Sequence, residues 1–252
     1  RLNSTEGVRL VRGSHIVVPA LYDHDKAYFF QGEDGRIIFA IPYETDFTLI
    51  GTTDAEHHDF CEKPRATEEE QDYLCAFASQ YFAKPVTRDQ IVWTYSGVRP
   101  LYDDGAKSAT AATRDYVLSL DDTGAPLLNI FGCKITTYRK LAENALKRLV
   151  PLIGGSEPWT AGVPLPGGDF PVGDRDLLLQ GLSEKYPFLS DRWALRLIRA
   201  YGRDAWNILG DATEASDLGD DFGATLTAAE VRWLMTHEYA QTAEDVVWRR
   251  SK

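Results

Sequence analysis

Hydrophobic and polar positions alternate with a period of two over residues 8 to about 60. The segments 8–12, 15–18, 27–30, 36–41 and 47–53 each read as a strand. Gly32-Glu-Asp-Gly35 is a hairpin signal between two of them, so an antiparallel sheet is expected. Thr67-Glu-Glu-Glu70 then has the form of a capping box and opens a helix to about residue 82. Strand patterns return at 91–96, 116–120 and 126–130, the last a short apolar run that reads as a buried strand. Directly after it the period lengthens. From Tyr138 the apolar positions fall at Leu141, Ala142, Ala145, Leu146, Leu149 and Val150, the spacing of one buried helical stripe. Residues 151–173 are rich in Gly and Pro and read as a linker. Beyond them only helical spacing appears, at 174–182, 191–201, 205–209, 227–239 and 242–249, with Thr227-Ala-Ala-Glu230 as a second capping box. The expected fold class is α+β. An antiparallel sheet and a strand–turn–helix occupy 1–150, a linker 151–173, and an all-helical domain 174–252.

Composition narrows the function. A hydrophobic content of 44% with 12% aromatics can build packed cores. A formal net charge of −11 argues against nucleic acid as a partner, although a few local arginines can still hold an anionic small molecule. Cys61, Cys75 and Cys133 are odd in number and lack metal-ligand spacing, which fits a reducing, intracellular compartment. No apolar run approaches the roughly 20 residues of a membrane span, and no signal peptide is visible. The chain opens at Arg1 without a Met and ends in a helical pattern, so it reads as a piece of something longer.

The residues with chemistry to offer cluster near glycines. Phe131-Gly-Cys-Lys-Ile-Thr-Thr-Tyr138 is a glycine turn that opens into a helix, and the free N–H groups of a helix start suit a negative ligand. No dinucleotide-binding βαβ precedes it. Arg99, in Ser96-Gly-Val-Arg-Pro100, is expected at a strand end; Arg114 stands just before the next strand. With Lys134 at the turn they form three cations able to grip a phosphate or carboxylate. The competing reading pairs each arginine with a nearby acid such as Asp103 or Asp115. His15, after Gly13-Ser14, is either a general base or a satisfied histidine at a sheet end. His57-His58-Asp59 invites a metal, but adjacent strand residues face opposite ways and no third ligand is suitably spaced, so no metal site is expected. The acidic run Glu68–Glu70 reads as solvated or helix-start charge.

Together these motifs resemble a known family. Ser14-His-Ile-Val-Val-Pro19, Ile50-Gly-Thr-Thr-Asp54, Trp93-Thr-Tyr-Ser-Gly-Val-Arg-Pro-Leu101, Thr113-Arg-Asp-Tyr116 and the segment 131–143 are similar to the flavin-dependent glycerol-3-phosphate dehydrogenases. Pro164-Leu-Pro-Gly-Gly168, Tyr186-Pro-Phe-Leu189, Asp217-Leu-Gly-Asp-Asp-Phe222 and Trp248-Arg-Arg250 fit that family's C-terminal helical domain. The resemblance implies oxidation of sn-glycerol 3-phosphate to dihydroxyacetone phosphate, with electrons passing through FAD to quinone. It implies that the sheet binds substrate, and that the Gly-rich ADP-binding turn lies upstream of this chain, which alone would be inactive. Gly132, Lys134, Ile135, Thr136 and Thr137 would meet the flavin. Arg99, Arg114 and Lys134 would surround the substrate, with His15 and Arg99 as catalytic groups. The family usually has a second glycine where Cys133 stands, which puts close flavin contact there in doubt. Peripheral attachment to the cytoplasmic face of the inner membrane and a homodimer are carried over from the family alone. The alternatives are an oxidase that uses oxygen and a non-catalytic interaction module docking through 182–252.

Overall fold

The structure is a computed structural model that describes residues 7–33, 35–58, 61–103, 105, 114–132 and 134–249, residue 249 by its backbone alone. Asp34, Asp59, Thr113, Cys133 and Arg250, which belong to motifs above, lie outside the described residues. Contacts divide the chain into two compact units, Arg1–Pro158 and Trp159–Lys252.

The first unit is organised by one long central strand, β1 (Val8–Pro19). The two strands expected at 8–12 and 15–18 are one, because Gly13 continues the extended backbone. The further elements are β2 (Tyr28–Gln31), β3 (Ile37–Tyr43), β4 (Phe47–Gly51), β5 (Ala55–Glu56), helix α1 (Glu68–Ala78) and β6 (Trp93–Tyr102). One edge of β1 pairs antiparallel with β6 from Val8↔Tyr102 to Val17↔Trp93. The other edge takes β4 and then β5, while β3 and β2 extend the sheet beyond β4. Strand β6 runs through Gly97 and Pro100, where a break was expected, so Arg99 lies inside a strand rather than at its end. Proline is tolerated there because, among the described residues, β6 pairs only with β1, leaving its outer edge free of ladder bonds.

Alternation gives this sheet two different faces. Ile16 and Val18 of β1, with Ile38, Ala40 and Ile50, pack on Leu74, Cys75, Phe77 and Ala78 of α1. Each fully buried aliphatic side chain there contributes about 1.5–3 kcal/mol. The capping box at Thr67 is present: Glu70 N–H donates to Thr67 Oγ1 and Thr67 N–H to Glu70 Oε2. Glu70 is nonetheless buried rather than solvated, because its other carboxylate oxygen accepts from Thr53 Oγ1 at 2.7 Å. The opposite face carries Val11, Gly13, His15 and Val17 beside Arg99, Gly97, Tyr95 and Trp93.

A two-stranded hairpin follows, β7 (Val117–Asp121) with β8 (Leu127–Phe131), and then α2 (Tyr138–Ile153). Strand β8 is not the buried strand expected: Leu127 and Ile130 are exposed, since among the described residues it pairs only with β7. The apolar stripe of α2 is likewise half open, with Ala145 buried but Leu146 56% exposed. Glu143 is buried on this helix and accepts from Arg139 and Lys140.

The second unit is helical: α3 (Arg175–Lys185), α4 (Asp191–Tyr201), α5 (Asp204–Leu209), α6 (Ala228–His237) and a wide turn at Asp245–Arg249. Its core gathers Leu182, Tyr186, Leu197, Ile198, Leu218 and Leu234. The expected linker at 151–173 is not uniform. Helix α2 takes residues up to Ile153, and Gly167 folds against the α4–α5 turn, where its carbonyl accepts from Arg203 N–H. The capping box expected at Thr227 does not form. Glu230 is 1% exposed and accepts instead from both Arg196 Nη atoms, at 2.7 and 2.6 Å, and from Tyr201 Oη. A charged guanidinium outbids a backbone N–H for that carboxylate.

Candidate active site

The face of the sheet away from α1 is built around small residues. Gly51 stands directly across β1 from His15, and a Cβ there would lie 2.1 Å from His15 Cδ2. Gly13 stands under the Arg99 guanidinium, where a Cβ would lie 2.5 Å from Nη1. Both glycines are therefore the space into which two candidate site residues, His15 and Arg99, lean. Gly97 is different, because a Cβ there would meet nothing within 4 Å. It leaves open floor between His15 and Arg99.

His15 is held neutral. Its ring stacks on Tyr95 at 4.9 Å and 9°. Burial first, and the positive charge of Arg99 second, lower its pKa from 6.5 to about 4. Its Nδ1 is buried without a hydrogen-bond partner. At physiological pH the imidazole is therefore neutral, and both burial and the adjacent cation disfavour its protonated form.

Asp54 closes the motif Ile50–Asp54, whose sequence alone gives it no role. The pairs His15↔Gly51 and Arg12↔Ala55 are one residue out of phase, so three residues, Thr52–Asp54, oppose Gly13 and Ser14. This is a β-bulge, a device that re-aims side chains beside active sites. Thr53 anchors it: its N–H donates to the Ser14 carbonyl, its Oγ1 accepts from Ser14 N–H at 3.0 Å, and the same hydroxyl donates to Glu70. Asp54 accepts from Arg99 Nη1 at 3.2 Å and from Arg114 Nη2 at 3.1 Å, and Arg99 Nη2 also reaches Thr52 Oγ1 at 3.3 Å. Both arginines thus pair with an acid, as the competing reading had it, but they share one acid distant in sequence, Asp54. The signal available in the sequence was its place in Ile50–Asp54, but ion pairs spanning 45 and 60 residues leave no local mark.

Lys134 is exposed, and among the described residues it makes no ion pair with Asp54, the acid that Arg99 and Arg114 share. The chain reaches it through Gly132, whose φ of 68° and approach to the Asp115 carbonyl (3.0 Å from an added Cβ) require glycine. Ile135–Thr137 form a 3₁₀ turn before α2. The helix start has no side-chain cap and no acid in its first turn, and Ile135 is 82% exposed. Thr137 Oγ1 donates back to the Lys134 carbonyl. Among the described residues no group of three or more His, Cys, Asp or Glu could hold a metal, and no helix is long and apolar enough to cross a membrane.

The antiparallel sheet, the glycine turn into α2 and the separate helical unit define a class. Residues 2–139 match the family of FAD-dependent oxidoreductases, and residues 158–252 match the C-terminal domain of alpha-glycerophosphate oxidase. The chain belongs to the FAD-dependent oxidoreductase family. Among its relatives, the aerobic glycerol-3-phosphate dehydrogenase of Escherichia coli strain K12 is 47% identical over 100% of this chain and 50% of its own length. The D-erythritol 1-phosphate dehydrogenase of Brucella abortus is 44% identical over 99% of this chain and 50% of its own. The crystal structure of glycerol-3-phosphate dehydrogenase from Bacillus halodurans complexed with FAD superposes with a TM-score of 0.77 at 28% identity, over 100% of this chain and 49% of that one. The chain thus spans about half the length of these relatives.

FAD fits the residues present. The 3₁₀ turn Ile135–Thr137 that runs into α2 has no side-chain cap and no acid, so its leading N–H groups suit the electron-rich edge of a flavin, and the open floor at Gly97 admits a flat ring or substrate.

Proposed function

We propose that this chain carries the substrate-binding half of an FAD-dependent glycerol-3-phosphate dehydrogenase, working with an ADP-binding half that the relatives' additional length accommodates. The observation that carries the reading is the neutral His15 on one sheet face with Arg99, whose guanidinium shares the Asp54 carboxylate with that of Arg114. In this reading Arg99, Arg114 and Lys134 bind the substrate phosphate and hydroxyls. His15 takes the C2 hydroxyl proton, and Arg99 steadies the negative charge that develops on that oxygen. Bound FAD supplies the hydride acceptor for C2. Gly132, Lys134, Ile135, Thr136 and Thr137 hold its isoalloxazine end, where free helix N–H groups favour negative charge. Quinone as electron acceptor, peripheral attachment to the cytoplasmic face of the inner membrane and a homodimer belong to the same proposal, supported by family resemblance.

A second reading, an oxidase, has its own support in the family matched by residues 158–252. One anaerobic experiment separates the two. The protein containing this chain, with flavin bound, is mixed with glycerol 3-phosphate and then with D-erythritol 1-phosphate while the oxidised flavin band is followed. Bleaching by glycerol 3-phosphate is expected. Fast recolouring on readmitting oxygen identifies an oxidase, slow recolouring a dehydrogenase. A flavin that neither substrate bleaches overturns the reading.

A further inference from the structure

We propose that Asp54 is the positioning residue of the anion site, its one carboxylate fixing the spacing at which Arg99 and Arg114 receive a phosphate monoester. The inference rests on the reading of those arginines as phosphate ligands. Arg99 comes from β6, whereas Arg114 comes from the approach to β7, outside the large sheet. Two guanidiniums this close repel each other, and Asp54 joins them through separate oxygens, Oδ1 to Arg99 and Oδ2 to Arg114. The carboxylate lies deeper than either partner, its side chain 20% exposed against 34% and 38%. Each guanidinium carries five N–H donors, so donors remain on both for a ligand. Asp54 itself does not float. Its neighbour Thr53 is tied to the backbone of β1 and to the buried Glu70 at the start of α1.

A carboxylate cannot hold a phosphate, so its influence passes through the arginines, and two effects of removing it oppose each other. Loss of its negative charge would strengthen the local field on an anion. Loss of the bridge would let the guanidiniums part. Our proposal requires the second to win.

The test is Asp54→Asn, which keeps the shape and removes the charge, with Asp54→Glu as a second variant, both in the flavin-loaded protein containing this chain. Anaerobic stopped-flow reduction yields the Kd for glycerol 3-phosphate separately from the limiting rate. Asp54→Asn should raise Kd about 10- to 100-fold, and any fall in the limiting rate, passed on through the displaced Arg99, should be smaller than that rise. Asp54→Glu should recover part of the affinity, and inhibition by inorganic phosphate should weaken in parallel. An unchanged or tighter Kd in Asp54→Asn overturns the proposal, and so does loss of the limiting rate at constant Kd. If Asp54→Asn does not fold, Asp54→Glu decides alone: a raised Kd supports the bridge, an unchanged one overturns it. If glycerol 3-phosphate fails to bleach even the parent, the functional reading has failed. Calorimetry with inorganic phosphate then decides the Asp54 role, weaker binding in the variant supporting it and equal binding overturning it.

Discussion

Gly51→Ala isolates the placement of His15 from its chemistry. The new Cβ would lie 2.1 Å from His15 Cδ2, 2.7 Å from Cγ and 2.8 Å from Nε2. Carbon atoms in contact prefer roughly 3.5–4.0 Å, so the ring must withdraw by about 1.5 Å. It can do so only by disturbing the stack on Tyr95, which contributes about 0.5–1.5 kcal/mol. Crowding of this kind destabilises by about 1–3 kcal/mol. Misplacing a reacting group by ~1 Å reduces turnover by about 100-fold. The assay pairs urea unfolding of the chain with anaerobic flavin reduction in the protein containing it. Both are repeated in a His15→Ala background, where the three ring atoms nearest the added methyl are gone. We expect Gly51→Ala to destabilise and slow the parent but to change neither quantity further once His15 is gone. If Gly51→Ala leaves the parent as stable and as fast as before, the ring does not sit where we place it. If the losses persist in the His15→Ala background, the clash is not their cause.

Gly97→Ala is the complementary test. Its Cβ meets nothing, so stability should hold or rise by about 0.4–1 kcal/mol as the unfolded chain loses freedom. Turnover should fall, because the open floor is where we expect the ligand; full activity would show that nothing docks at Gly97. For His15, nuclear magnetic resonance of the ring protons, assigned with His15→Asn, should show titration near 4 rather than 6.5. The unfolded chain takes up this proton first, so the associated stability is complete above pH 6.5 and is lost as the pH falls toward about 4. A ring titrating near 6.5 would contradict its burial beside Arg99. In the helical unit, Arg196→Leu strands the Glu230 carboxylate at 1% exposure, and should lower the stability of that unit by about 3–5 kcal/mol. Arg196→Leu with Glu230→Leu should recover most of it in denaturant unfolding; a single-variant loss under about 1 kcal/mol would make the pair a surface-type bridge.

Local signals carried much of the fold into the sequence. The alternation of β1, β3 and β4, the capping box of α1 and the glycine before α2 are all short-range features, and each is legible where it stands. What escaped was decided at a distance. Gly97 and Pro100 read as a break, yet β6 continues through them because its outer edge has no ladder to interrupt. Glu230 has the right spacing to cap α6, but Arg196, 34 residues away, takes it. The apolar stripe of α2 was read as buried, and only part of it finds neighbours. Arg99 and His15 stood out in the sequence because each follows a glycine by two residues, and Arg114 because it stands just before a strand pattern. The carboxylate that binds two of them together did not, since nothing near Asp54 in sequence announces its partners.

The bulge at Thr52–Asp54 makes this short stretch intolerant of length change. Connecting segments usually accept insertions and deletions, since their backbone is solvated and their ends can adjust. Here the count itself aims the residues. Removing one would bring β5 into step with β4 along β1 and return the following side chains to strict alternation, so the carboxylate would no longer meet both guanidiniums. A one-residue gap or gain between Gly51 and Ala55 in any related chain would therefore mark a rebuilt or abandoned anion site, however similar the rest of the sheet.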